Sequence, residues 1–315
     1  RFILTVSCAP TLLKGVVESL AGRVALIEVG TLKLNEIQGR ELPEFYKILT
    51  RFPSLDHLDL LLRMKVGFSK DEVLGHFLRG GYPEPVLSGD PDFQSSWMAN
   101  YERTYLDRDV RALFPRLNVQ NFRRFLGMLC ELSGTIINRS EVGRSLGASE
   151  GAVRDYLEIA EGTFLWRSIG SLEKTASKSM VKMPRGYIRD SGLLNHLKGT
   201  RTQEQLMTWA GVGAAFEGAM LEEILLGIAS LENSPWPAAY YRTRGGAEVD
   251  LVLTDPTGLR IPIEIKFGMS TKHSDLRSLS GFVEQEKCPY GILVNNAEEV
   301  RLLAPKIIQI PAGFL

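Results

Sequence analysis

Asp250, Glu264 and Lys266 are the residues of this 315-residue chain whose types and spacing suit a joint chemical task. They lie in two runs, Glu248-Val249-Asp250-Leu251-Val252-Leu253 and Arg260-Ile261-Pro262-Ile263-Glu264-Ile265-Lys266-Phe267. Both runs alternate with period two, which puts successive side chains on opposite faces of a strand. Val249, Leu251 and Leu253 are expected on one face, with Glu248 and Asp250 on the other. In the second run Ile261, Ile263, Ile265 and Phe267 share a face opposite Glu264 and Lys266. The Asp255-Pro256-Thr257-Gly258 cluster between the runs predicts a hairpin turn. With Asp250 opposite Glu264, Glu248 falls opposite Lys266. Magnesium takes oxygen ligands and binds through one or two carboxylates with water and phosphate. A neighbouring lysine orients the attacking water and offsets phosphate charge. The expected chemistry is therefore metal-assisted phosphodiester hydrolysis, with Asp250 and Glu264 as Mg²⁺ ligands and Lys266 at the water. The alternative is a solvated hairpin face carrying a Glu248–Lys266 cross-strand pair.

The flanking sequence predicts the elements that position these side chains. Residues 214–231 read as an amphipathic helix with Leu221, Ile224, Leu225 and Ile228 on one stripe. Glu217 lies one turn before Leu221 on that stripe, and a carboxylate on an apolar face needs a partner. The alternative is a carboxylate favoured simply by the helix N-terminus. Residues 275–287 read as a helix and 290–294 as a buried strand. Strand, helix, strand predicts a mixed sheet with helices on it.

Upstream, residues 97–114 form a charged amphipathic stretch and 121–132 a second helix. Asn138 to Leu146 predicts a short helix capped by Asn138 or Ser140. Next come a tight turn at Gly147-Ala148-Ser149 and a helix over 150–161, which is a helix-turn-helix signal. The stretch from Phe164 to Ile188 would be its wing. Lys174, Lys178, Lys182, Arg185 and Arg189 exceed Glu173 and Asp190 there, which suits phosphate contacts by the wing. The second helix offers Arg154 but also Glu150, Asp155 and Glu158, so wing contacts are expected over base readout.

Composition sets the bounds. The formal net charge is zero and the hydrophobic fraction 44%. Any nucleic-acid surface must be local. Cys8, Cys130 and Cys288 form no CxxC pair, and their odd number argues against a disulfide framework. The four histidines are scattered, so no zinc motif is visible. No apolar run approaches the ~20 residues of a membrane span. With no signal peptide visible either, the expected compartment is the cytoplasm.

Two resemblances add to this reading. An Asp on one strand with Glu-x-Lys on the next resembles the restriction-endonuclease-like nucleases, in which a first-helix Glu such as Glu217 often completes the metal site. Arg1-Phe2-Ile3-Leu4-Thr5, with Ser7, Ala9, Pro10, Leu12, Leu13 and Lys14-Gly15, resembles the sensor-1 strand of an AAA-superfamily ATPase. The strand at Val24 to Val29, the helix start Leu34-Asn35-Glu36-Ile37, and Phe77-Leu78-Arg79-Gly80-Gly81-Tyr82-Pro83-Glu84 in the lid extend the likeness. The family is that of prokaryotic AAA-type ATP-binding proteins with a C-terminal domain of unknown function of nuclease-like fold. The resemblance implies an α/β multidomain chain: an ATPase remnant with helical lid over 1–91, a winged helix-turn-helix over 92–200, and a restriction-endonuclease-like mixed α/β domain over 201–315. It implies DNA as partner and ATP as ligand of the complete protein. It also implies Ser7 and Arg23 as nucleotide-sensing residues, Arg23 reaching a neighbouring subunit of a homo-oligomer. The chain departs from the family at Val6 and Cys8, where Gly and Ser are usual, and shows no P-loop. ATP hydrolysis by this chain alone is not expected.

Overall fold

The hairpin predicted around Pro256 is the middle of a mixed sheet that, among the described residues, has nine strands in the order β1-β3-β2-β4-β5-β6-β7-β9-β8. The computed structural model describes residues 8, 27–51, 57–65, 67–115, 117–172, 183–231, 236–271 and 273–315. The strands are β1 (Thr135–Ile136), β2 (Trp166–Ser171), β3 (Arg185–Ile188), β4 (Ala238–Arg242), β5 (Glu248–Thr254), β6 (Arg260–Ile265), β7 (Gly291–Asn295), β8 (Arg301–Ala304) and β9 (Ile307–Pro311). The helices of eight residues or more are α1 (Lys70–Arg79), α2 (Pro91–Thr104), α3 (Val119–Leu132), α4 (Arg139–Leu146), α5 (Glu150–Gly162), α6 (Val212–Ala229) and α7 (His273–Gln285).

Local chemistry explains most of these boundaries. The β5–β6 turn is tied by Asp255, whose Oδ1 accepts from Thr257 N at 2.8 Å and Leu259 N at 2.8 Å. Gly258 supplies the positive φ of 86° that the turn requires. β5 and β6 then pair antiparallel with Leu251 opposite Ile263 and Leu253 opposite Ile261. Extended by one residue, this register sets Asp250 opposite Glu264, as the alternation predicts. In the helical part, Asn138 caps α4 by accepting from Glu141 N, and Ser149 caps α5 by accepting from Ala152 N. Gly147 ends α4 in the left-handed conformation, at φ 65°. α1 begins with a reciprocal capping box between Ser69 and Glu72.

The structure differs from expectation in two places. Strict alternation put Val249 with Leu251 and Leu253. Instead Leu251 and Leu253 join the large core, while Val249 packs with Val252, Leu279 and Phe282 on the α7 side. The cause is a bulge: Ala239 pairs with Val252 but Tyr241 with Val249, so β5 carries one residue more than β4 around Asp250 and Leu251. A bulge reverses the facing of the residues beyond it and re-aims the side chains beside it. The second difference concerns the end of the strand expected at Val24 to Val29, of which residues 24–26 lie outside the described residues. Residues 27–29 carry no strand. Ile27 and Val29 are exposed, and Glu28 is held by Arg189 at 2.6 Å rather than by a sheet.

The sheet also runs across the division expected at residue 200. β2 pairs in parallel with β4 at Gly170–Ala239 and Ser171–Tyr240, and with β3 antiparallel. The strands expected as a wing thereby extend the C-terminal sheet, which covers an edge that would otherwise stay open. α6 runs through the core and is apolar nearly all round, with Phe216, Met220, Leu221, Ile224 and Ile228 buried. It meets aromatic rings closely at two glycines. A Cβ on Gly227 would lie 2.2 Å from the Tyr46 ring, and one on Gly218 2.9 Å from Tyr187. The three cysteines are free and buried. Among the described residues no helix is long and apolar enough to cross a membrane.

Candidate functional site

β6, β7 and β9 run parallel, so their carboxyl ends share one edge of the sheet. Asp250 at the start of antiparallel β5 and Lys266 just past β6 lie at that edge. In open α/β sheets this is the edge outside which ligands bind. Lys266 Nζ lies 2.5 Å from Glu264 Oε1 and 3.8 Å from Asp250 Oδ2. Asp250 Oδ2 also accepts from Ile265 N at 2.9 Å, so this side chain replaces a rung of the β5–β6 ladder and is fixed by the backbone. The predicted trio is therefore brought together. The alternative Glu248–Lys266 pair is displaced, because Glu248 bonds Arg185 and lies 3.6 Å from Arg242.

Glu217 reaches the same cluster from α6. Its Oε1 accepts from Arg185 Nη1 at 2.8 Å and from Tyr187 OH. The same Arg185 nitrogen lies 3.2 Å from Asp250 Oδ1. Arg185 is thus a buried bridge among Glu217, Glu248 and Asp250, with its guanidinium over the Tyr240 ring. This corrects the placement of Arg185 on a phosphate-facing wing: at 5% exposure its charge is turned inward. The reason is long-range, since β3 joins the sheet and carries Arg185 over Tyr240 to β5. Sequence reasoning missed Tyr187 as well. The visible signal was the alternation in Arg185-Gly186-Tyr187, which places both side chains on one face. Ser7, Arg23, Lys174, Lys178 and Lys182 lie outside the described residues.

The cluster is rich in acid. Burial, reinforced by the charge of Asp250, pushes the Glu217 carboxyl up to about 7, with Arg185 and the Tyr187 hydroxyl opposing it. Burial and Asp250 likewise push Glu264 up to about 8, against Lys266. Burial alone would lower Lys266, but Asp250 and Glu264 outweigh it and hold the ammonium charged well above its ordinary range. Glu264 Oε2 is buried and has no hydrogen-bond partner, and the same is true of Arg185 Nε. A partnerless buried carboxylate oxygen is costly unless a ligand takes it.

The residues fit a divalent ion in one place and not in another. Asp250 and Glu264, with the free Glu264 oxygen, have the hard-oxygen chemistry that Mg²⁺ takes. Glu217 does not complete a set, because Arg185 Nη1 stands between it and Asp250. Accordingly, among the described residues no group of three or more His, Cys, Asp and Glu side chains is arranged to hold a metal ion.

The comparisons with known proteins divide the chain near α6. Residues 70–204 match the model of a domain of unknown function (DUF8612), and residues 212–314 match that of a second domain of unknown function (DUF4143). Uncharacterized proteins of Mycobacterium bovis and Mycobacterium tuberculosis are each 29% identical over 266 residues, covering 84% of this chain and 52% of the relative. The chain thus spans about half the length of the curated relatives it matches. No solved structure matches it. What the comparisons establish is that the chain is similar to these two mycobacterial proteins and that its residues 212–314 match the DUF4143 domain.

Proposed function

We propose that the chain is the C-terminal portion of an AAA-type ATP-binding protein whose last hundred or so residues form a restriction-endonuclease-like phosphodiesterase acting on DNA. One observation carries this reading: Asp250, Glu264 and Lys266 meet at the carboxyl edge of the sheet, with one Glu264 oxygen buried and unpartnered. In this reading Asp250 and Glu264 hold Mg²⁺. Bound there, such an ion would supply charge neutralisation at a phosphate and Lewis-acid activation of water. Lys266, beside both carboxylates, holds the attacking water in line and offsets phosphate charge. Asp250 keeps its orientation through Ile265 N, so the pair is held rigid before substrate arrives. The relatives are nearly twice as long as the matched region, which leaves room for the nucleotide-binding half of such a protein.

DNA approach through α5 is disfavoured. Its exposed face carries Glu150, Asp155, Glu158 and Glu161 around Arg154, which is itself 3.2 Å from Asp155 and 3.7 Å from Glu158. Phosphate contacts in this reading fall to Arg242 and Arg244 at the β4–β5 turn beside the site, and to the lysines of residues 174–182.

A second reading is favoured by the inward-turned Arg185: a DNA- or protein-binding regulatory ATPase that uses the nuclease fold as scaffold. Incubation of the pure chain with plasmid and branched DNA in Mg²⁺ or Mn²⁺, read on a gel, separates the two. Cleavage lost in both Asp250→Asn and Lys266→Ala supports the first reading. Intact DNA in every case, with retention of the probe in a gel-shift assay, supports the second.

A further inference from the structure

Arg185 stands where a cation belongs. Its Nη1 is 2.8 Å from Glu217 Oε1 and 3.2 Å from Asp250 Oδ1, and Nη2 pairs with Glu248. A divalent ion bonded to a carboxylate oxygen sits about 2.0–2.6 Å from it. Such an ion on Asp250 Oδ1, facing Glu217, would occupy the space of that guanidinium nitrogen. Metal and Arg185 therefore compete for the same oxygen. The guanidinium is also an imperfect occupant. Its Nε finds no acceptor, and Glu264 Oε2, in a residue only 6% exposed, finds no donor. Among the described residues, four carboxylates (Glu217, Glu248, Asp250 and Glu264) face Arg185 and Lys266 inside the cluster, with Arg242 at its rim. The cluster thus has oxygen to spare for a second cation.

We infer that Arg185 is an intramolecular place-holder for the divalent cation, and that the carboxylate cluster takes metal tightly only when this side chain swings out. The inference rests on the reading of Asp250 and Glu264 as a metal pair and names what controls it. β3 is held in the sheet by β1 and β2, so the motion belongs to the side chain and not to the strand. Once out, the guanidinium stands at the sheet edge and is free to meet a phosphate. A polyanion that draws Arg185 away then raises metal affinity, and metal raises polyanion affinity by the same factor.

The test titrates Mn²⁺ into the full chain without nucleic acid, by calorimetry and by thermal shift. Wild type is compared with Arg185→Gln, Asp250→Asn and Glu264→Gln. If the released state is a minor one of about 0.1–10%, removing the competitor tightens binding by roughly 10- to 1000-fold. The expected result is weak or undetectable binding by wild type. Arg185→Gln should bind at least tenfold more tightly, and adding Glu264→Gln to it should abolish that gain. Equal affinity in wild type and Arg185→Gln, lost in Asp250→Asn, overturns the place-holder role while the metal pair stands. No Mn²⁺ binding by any variant overturns both. If Arg185→Gln does not fold without metal, recovery of its melting transition on adding Mn²⁺ supports the inference. The Arg185→Gln/Glu217→Gln pair, which removes one charge of each sign, then carries the affinity measurement.

Discussion

Helix α6 presents carboxylates to two buried centres, and the two are built to opposite ends. Toward the N-terminal helices, Glu223 meets Lys33 Nζ through Oε2 and His76 Nε2 through Oε1 at 2.7 Å. Lys33 also bonds the Glu223 carbonyl at 2.9 Å and the Tyr46 hydroxyl at 3.0 Å. Burial would raise the Glu223 carboxyl, but Lys33 and His76 outweigh it and hold it down to about 2. Toward the sheet, Glu217 joins Asp250 and Glu264, and there burial wins, leaving Glu217 at about 7 and Glu264 at about 8. The first centre is balanced: every acid has its base, and it docks the segment around residues 33–46 onto the core. The second, among the described residues, is left short of positive charge. A balanced buried pair fixes geometry, whereas an unbalanced one keeps capacity for a ligand.

The comparison breaks most sharply at Lys33. Lys33→Met leaves a buried carboxylate without its main partner, which should cost about 3–5 kcal/mol. Urea unfolding should show this as a large drop in midpoint. A drop no greater than that of a surface lysine variant would mean the Glu223 centre is not a lock. Gly227→Ala acts on the same centre through packing. Its new methyl meets the Tyr46 ring and should cost about 1–3 kcal/mol by overpacking. Nucleic-acid and metal binding should be unchanged.

The pH dependence sharpens the contrast because the two centres have opposite signs. Glu223 is held below the ordinary carboxylate value of 4.5, so its stabilisation is full above that pH and is lost as pH falls toward 2. Glu217 and Glu264 are held above 4.5, so the folded chain keeps protons that the unfolded chain releases. Their contribution is full below 4.5 and is lost as pH rises through about 7 and 8. In metal-free buffer, Glu223→Gln should flatten the acid limb of the melting-temperature profile and Glu264→Gln the limb between pH 4.5 and 8. Identical slopes in wild type and Glu264→Gln would deny the acid excess. The smallest effect is expected at Glu248. It is partly exposed and shared between Arg185 and Arg242, so Glu248→Ala should cost about 1 kcal/mol or less. A larger loss would mark Glu248 as the main anchor of Arg185.

Much of the site was legible before any fold was known. Alternation and the Asp-Pro-Thr-Gly turn specified the hairpin, its register and the meeting of Asp250, Glu264 and Lys266. The cap candidates Asn138 and Ser140 and the turn at Gly147-Ala148-Ser149 placed α4 and α5. Glu217 was singled out because a carboxylate on an apolar stripe demands a partner, though the partner proved to be Arg185 and Tyr187. Two features were illegible. The bulge that sends Val249 to the α7 side arises from pairing with β4, a strand defined elsewhere in the chain. The position of Arg185 arises from β3 joining the C-terminal sheet.

Short windows of the chain carry the local order: which runs alternate, where turns and caps fall, and which residue types share a face. These depend on backbone stereochemistry and on side chains a few positions apart, so they are encoded locally. Which charges neutralise which is settled only in three dimensions. Asp250 faces Glu264 by strand pairing, but it is Arg185, brought from 65 positions away, that stands against it, as Lys33 does against Glu223 from 190. Charge pairing inside a protein is set by proximity and desolvation, and both arise only when distant segments pack together.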